Sequence, residues 1–109
     1  MFRWFMRINF YFQKVNKIDR EKLKNYFAEK KLSRLVRLLQ NDNLELANLV
    51  VRTQYFQRHN AFDIKLNLSF AKKELIGKEK SHDLIRAFDL ALDRLISQLR
   101  KIESVRHDK

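Results

Sequence analysis

Between Met6 and Gln13 apolar and polar residues alternate, with Met6, Ile8, Phe10 and Phe12 on one side and Arg7, Asn9, Tyr11 and Gln13 on the other. A period of two in β-branched and aromatic residues predicts a half-buried strand. The period then lengthens. Leu23, Phe27, Ala28, Leu32, Leu35 and Leu39 form one apolar stripe, which predicts a helix from an N-cap at Asp19 towards Gln40. Asn41-Asp42-Asn43 should end it, because these side chains compete for backbone hydrogen bonds.

Alternation returns within Leu46–Phe56, where Ala47, Leu49, Val51 and Thr53 share a face. Gln57-Arg58-His59-Asn60 reads as a loop. Phe62, Ile64, Leu66, Leu68 and Phe70 then alternate with Asp63, Lys65, Asn67 and Ser69, the clearest strand of the chain. A short strand around Leu75 to Gly77 completes a hairpin. Ser81 or Asp83 caps a last helix, whose stripe is Leu84, Phe88, Ala91, Leu92, Leu95, Leu99 and Ile102. The order is β-α-β-β-β-α. It predicts an α+β fold in which both helices pack on one face of a four-stranded sheet. The other face is left open, with Tyr11, Tyr55 and Phe56 as candidates to lie on it.

Composition narrows the chemistry. At 109 residues the chain holds one domain. The absence of Cys removes disulfides and thiolate sites, and His59, His82 and His107 are too scattered for a metal cage. With one Gly and no Pro there is no glycine-rich phosphate loop. No apolar run approaches the ~20 residues of a membrane span. Arg3 and Arg7 interrupt the apolar N-terminus before a signal-peptide core can form, so a cytoplasmic protein is expected.

The net charge of +11 is the strongest signal, and it points to a polyanion, most commonly nucleic acid. Residues 17–40 hold eight basic and three acidic side chains, almost half of the excess. Lys30, Arg34 and Arg37 form a row there that could follow a phosphate backbone. The same row also reads as an ordinary solvated helix face. Arg94, Arg100, Lys101 and Arg106 make the last helix basic towards its end, where they also complement the helix dipole. Asp89 and Asp93, one turn apart, read as solvent-facing polarity rather than an acid/base pair. His82 beside Asp83 reads as a helix start, and most of the nine Phe read as core.

The last helix is the most specific segment. Asp83, Ala87, Asp89, Leu90, Ala91, Asp93, Leu95, Gln98, Leu99, Arg100 and Lys101 match the pattern D-x-x-x-A-x-D-L-A-x-D-x-L-x-x-Q-L-R-K, with Arg94 at a further basic position. That pattern resembles the helix of the ribosome hibernation-promoting factors, the ribosome-associated inhibitor family. Leu23-Lys24-Asn25-Tyr26-Phe27-Ala28-Glu29-Lys30-Lys31-Leu32-Ser33-Arg34-Leu35 is similar to that family's first helix. Ile85 stands where that family usually has Tyr, Ile96 where it has an acidic residue and Ser97 where it has a basic one.

The resemblance implies a fold like a double-stranded-RNA-binding domain and no catalysis. It implies a protein that binds the small ribosomal subunit in the decoding cleft, blocks messenger and tRNA, and protects idle ribosomes. On this reading residues 1–109 are a single ribosome-binding domain of the short form, with residues 1–5 an N-terminal extension. The expected set facing ribosomal RNA is Lys24, Lys30, Lys31, Arg34, Arg37, Arg94, Arg100 and Lys101. Lys31 falls near the apolar stripe, where a long side chain snorkels. No cofactor, metal, membrane or small-molecule substrate is expected, and the protein should be a monomer off the ribosome. The rival readings are a regulator binding structured RNA outside the ribosome and a basic protein–protein adaptor.

Overall fold

The alternating segments become four strands: β1 (Phe5–Gln13), β2 (Leu46–Phe56), β3 (Ala61–Phe70) and β4 (Lys73–Ser81). The computed structural model describes residues 5–40, 46–70 and 73–107. The strands lie in the order β1-β2-β3-β4, with β1 parallel to β2 and the other pairs antiparallel. Between β1 and β2 run α1 (Lys17–Tyr26), a π-helical turn (Phe27–Lys31) and α2 (Leu32–Gln40), which join into one helical rod. The long α3 (Leu84–His107) closes the chain. This is the expected α+β order, and the helices cover one face of the sheet.

The core lies between them. Ala47, Leu49, Val51 and Thr53 of β2 and Ile64, Leu66, Leu68 and Phe70 of β3 are buried against the helices, as their alternation predicts. Leu23, Phe27 and Leu35 come from the rod, and Leu84, Phe88, Ala91, Leu92, Leu95 and Leu99 from α3. Aromatic rings tie the layers. Phe10 stacks on Phe12 at 6.0 Å and meets Phe27 edge-on at 6.0 Å, and Phe27 meets Phe88 edge-on at 5.8 Å. Each fully buried ring of this size contributes about 1.5–3 kcal/mol over exposure.

Several expectations are corrected. The N-cap is Asn16, not Asp19: Asn16 Oδ1 accepts from the Asp19 N–H at 2.7 Å, and its amide donates to the Asp19 carboxylate at 3.1 Å. Asp19 is thus the third helical residue, in the manner of a capping box. Ala28, placed in the apolar stripe, is exposed. The cause is the π-turn, in which the Leu32 N–H donates to the Phe27 carbonyl five residues back. The added residue brings Leu35 into phase with Phe27, and Ala28, about 100° round the helix from Phe27, falls off that stripe. The loop expected at Gln57–Asn60 is present and takes the form of a 3-10 turn over Gln57–His59, closed by Asn60 with φ 46°. The strand expected near Leu75–Gly77 extends over nine residues. The first strand begins at Phe5, inside the expected extension. The Asn41-Asp42-Asn43 stop lies outside the described residues.

Asp83 caps α3, accepting from the Ile85 N–H at 3.1 Å. Gly77 lets this helix sit directly on β4: a Cβ there would lie 2.3 Å from the Ala91 carbonyl oxygen. On the open face, register aligns Tyr11 with Arg52, Arg52 with Lys65 and Lys65 with Lys78. Phe56 shares the parity of Arg52 and lies on that face, where Lys80 Nζ is 5.5 Å from its ring centroid. Tyr55 does not. It shares the parity of Thr53, packs on Phe62 with ring centroids 5.0 Å apart, and donates to Asn60 Oδ1 at 2.7 Å.

Candidate nucleic-acid interface

The rod between β1 and β2 is basic where it is not buried. Lys30, Arg34 and Arg37 are exposed, and among the described residues no carboxylate forms an ion pair with any of them. The π-turn makes this row possible. In an unbroken α-helix Arg34, seven residues after Phe27, would return to the face of Phe27 and point at the core. The extra residue gives that inward position to Leu35, which is fully buried, and moves Arg34 into solvent. Such turns are uncommon and recur at functional sites.

The other expected cations divide by position. Lys24 is exposed, with Nζ 5.9 Å from the Phe10 ring centroid and 5.8 Å from that of Phe12, which places it beside β1. Arg94 does more than complement the helix dipole, since its Nε donates to Glu79 on β4. Lys101, seven residues on, shares that flank of α3. Arg100, seven residues after Asp93 and eleven after Asp89, takes the flank that faces the rod. Both Arg100 and Lys101 are exposed.

Lys31 belongs to a clamp between the helices. The Tyr26 hydroxyl donates to both Asp89 carboxylate oxygens, at 2.7 and 2.8 Å. Lys31 Nζ lies 3.5 Å from Asp89 Oδ1 and 5.8 Å from the Tyr26 ring centroid. Burial, the hydrogen bond to Asp89 and the negative charges of Asp89 and Asp93 push the Tyr26 hydroxyl up to about 12 from 10.0. It therefore stays a donor at neutral pH. Asp89 is a ligand of this clamp rather than plain solvent-facing polarity, and it partly neutralises Lys31. Nothing in the sequence spacing marks the pairing, because Tyr26 and Asp89 stand 63 residues apart.

His82 accords with a helix start: its Nδ1 lies 2.6 Å from the Asn60 carbonyl oxygen while Asp83 caps α3. No group of His, Asp and Glu among the described residues could hold a metal ion. Among the same residues no helix is long and apolar enough to cross a membrane.

The arrangement is therefore an exposed cationic row on a rod anchored by its apolar side, with further cations on the neighbouring helix. Its fold is similar to the crystal structure of the Thermus thermophilus Protein Y N-terminal domain, with a TM-score of 0.65, 18% identity, and coverage of 89% of this chain and 99% of that one. It is similar also to a ribosomal subunit interface protein from Coxiella burnetii, with a TM-score of 0.55, 15% identity, and coverage of 91% and 97%. No curated protein sequence matches the chain. The family model described as Sigma 54 modulation protein / S30EA ribosomal protein matches residues 12–106, and the chain belongs to that family.

Proposed function

We propose that this protein is a ribosome hibernation factor, a single ribosome-binding domain that seats in the decoding cleft of the small subunit and blocks messenger RNA and tRNA by occupying their path. The observation that carries the reading is the row Lys30, Arg34 and Arg37, exposed and without ion-pair partners among the described residues, in a chain of this ribosomal family. Cations held on a rigid helix meet ribosomal RNA mainly through phosphate and shape. Arg100 and Lys101 extend the contact from α3. Lys24, Lys31 and Arg94, each with an intramolecular partner, complete it at the edges. No reacting group is needed, because inhibition follows from occlusion.

Sedimentation with purified ribosomes in sucrose gradients tests the reading. Association with the small subunit that weakens progressively as salt rises supports it. Association with neither subunit at low salt favours a regulator of structured RNA outside the ribosome or a protein adaptor. Occlusion is tested by adding saturating initiator tRNA and messenger, which should lower occupancy. Simultaneous full binding of all three would overturn the cleft placement.

A further inference from the structure

The open face of the sheet carries a feature that folding alone does not explain. Arg52, Lys65 and Lys78 occupy directly opposed positions on β2, β3 and β4. All three are exposed, and none has an ion-pair partner among the described residues. Cβ atoms of directly opposed residues stand about 4.5–5.5 Å apart, and like charges so placed destabilise a sheet. Two carboxylates share this face: Asp63 lines the groove beside the ladder with Lys80 4.0 Å away, and Glu74 accepts from the Asn67 amide at 2.7 Å.

The row continues onto β1 with Tyr11, which is 51% exposed, and the Arg52 guanidinium lies 4.9 Å from its ring centroid. Next to the row, Gln13 pairs in register with Gln54. These groups line a groove of about 520 Å³ on the sheet. From β1 to β4 the row spans three strand spacings, about 14 Å.

We propose that this face is a second, separate nucleic-acid site, one that takes single-stranded RNA. The ladder meets successive phosphates, the Tyr11 ring with its Arg52 lid offers a stacking surface for a base, and Gln13 and Gln54 supply amides for base edges. An aromatic ring beside a cationic track is the chemistry of single-strand binding, and it gives RNA the advantage over an acidic peptide, which has no base to stack. The site lies on the opposite side of the sheet from the helix row and does not depend on that row's role.

The test compares the wild type with the triple variant Arg52→Gln/Lys65→Gln/Lys78→Gln, using a fluorescein-labelled dodecauridine probe and anisotropy. Binding should fall at least about tenfold at low salt. The log K against log salt slope should become shallower by about 2, since each phosphate of a single strand that is no longer neutralised removes about 0.7. The variant should melt at or above the wild-type temperature, because a repulsive ladder has been removed. A loss of binding that accompanies a lower melting temperature is resolved by Tyr11→Leu, which leaves the cations in place and should still weaken binding. In a ¹⁵N-labelled sample the probe should shift the amides of Tyr11, Arg52, Lys65 and Lys78. Unchanged affinity in the triple variant, shifts confined to the helices, or equal binding of a poly-glutamate probe at this face would each overturn the proposal.

Discussion

Replacing Gly77 with alanine tests how α3 is seated. The added Cβ would lie 2.3 Å from the Ala91 carbonyl oxygen, 3.2 Å from its carbon and 3.3 Å from the Leu95 nitrogen. Reaching an ordinary 3.4 Å contact requires the strand and helix to separate by about 1.1 Å, and protein interiors are close-packed. All three obstructing atoms are backbone, so no side-chain rotation relieves the clash. Overpacking of this kind costs about 1–3 kcal/mol. Gly77 has no positive φ, so alanine tolerates its backbone and recovers about 0.4–1 kcal/mol by restricting the unfolded chain. The balance is a loss of about 1–2 kcal/mol, or about 4–10 °C in melting temperature for a chain of this length. Thermal and urea melts followed by far-ultraviolet circular dichroism measure it. Adding Ala91→Gly should bring no recovery, since the carbonyl remains. A Gly77→Ala protein that melts at or above the wild type would refute the reasoning.

Arg34→Glu with Arg37→Glu should leave stability within about 0.5 kcal/mol, since both residues are exposed. Ribosome binding should fall steeply, with a salt slope shallower by about 2; a folded variant with wild-type affinity would refute the helix-row reading. Tyr26→Phe should cost about 1 kcal/mol by removing the donor to Asp89. Tyr26 is raised to about 12 from 10.0, so its contribution is complete below pH 10 and is lost as pH rises through 12. The variant should therefore lose stability less steeply than the wild type across that window, and equal slopes would count against the clamp. Asn16→Ala should cost about 1 kcal/mol in urea melts and leave the Asp19 amide less protected from exchange.

The strands were legible where one face is buried and the other wet. Ala47, Leu49, Val51 and Thr53, and Ile64, Leu66 and Leu68, could be assigned from alternation because a slip of one residue would turn every one outward. Alternation was a poor guide to β4, where Lys78 and Lys80 face solvent and Glu79 between them takes Arg94 as its partner. The helix start was misplaced because Asn16 and Asp19 are both competent caps, and only their reciprocal bonds distinguish them. A π-turn leaves no compositional mark; the sign available was the incompatible phase of Phe27 and Leu35. The spacing of Lys30, Arg34 and Arg37 marked them as one row, but the exposure of Arg34 depends on the π-turn. The clamp on Asp89 and the cationic ladder on the sheet could not be read from spacing, because each depends on residues brought together by tertiary register.

The parallel pairing of β1 with β2 has a bearing on the order of assembly. β2, β3 and β4 follow one another through short antiparallel connections, and α3 comes directly after. Pairing β1 requires the whole helical rod to be laid across the sheet first. The entropy of closing that segment is spent before its contacts form, so β1 is expected to dock last. β1 is also an edge strand bonded only to β2, and its amides should be among the earliest of the sheet to exchange with solvent. Partial opening at this edge would strip Phe10 and Phe12 from Lys24 while β2, β3 and β4 remain paired, so the molecule could lose one border of its cationic surface without unfolding.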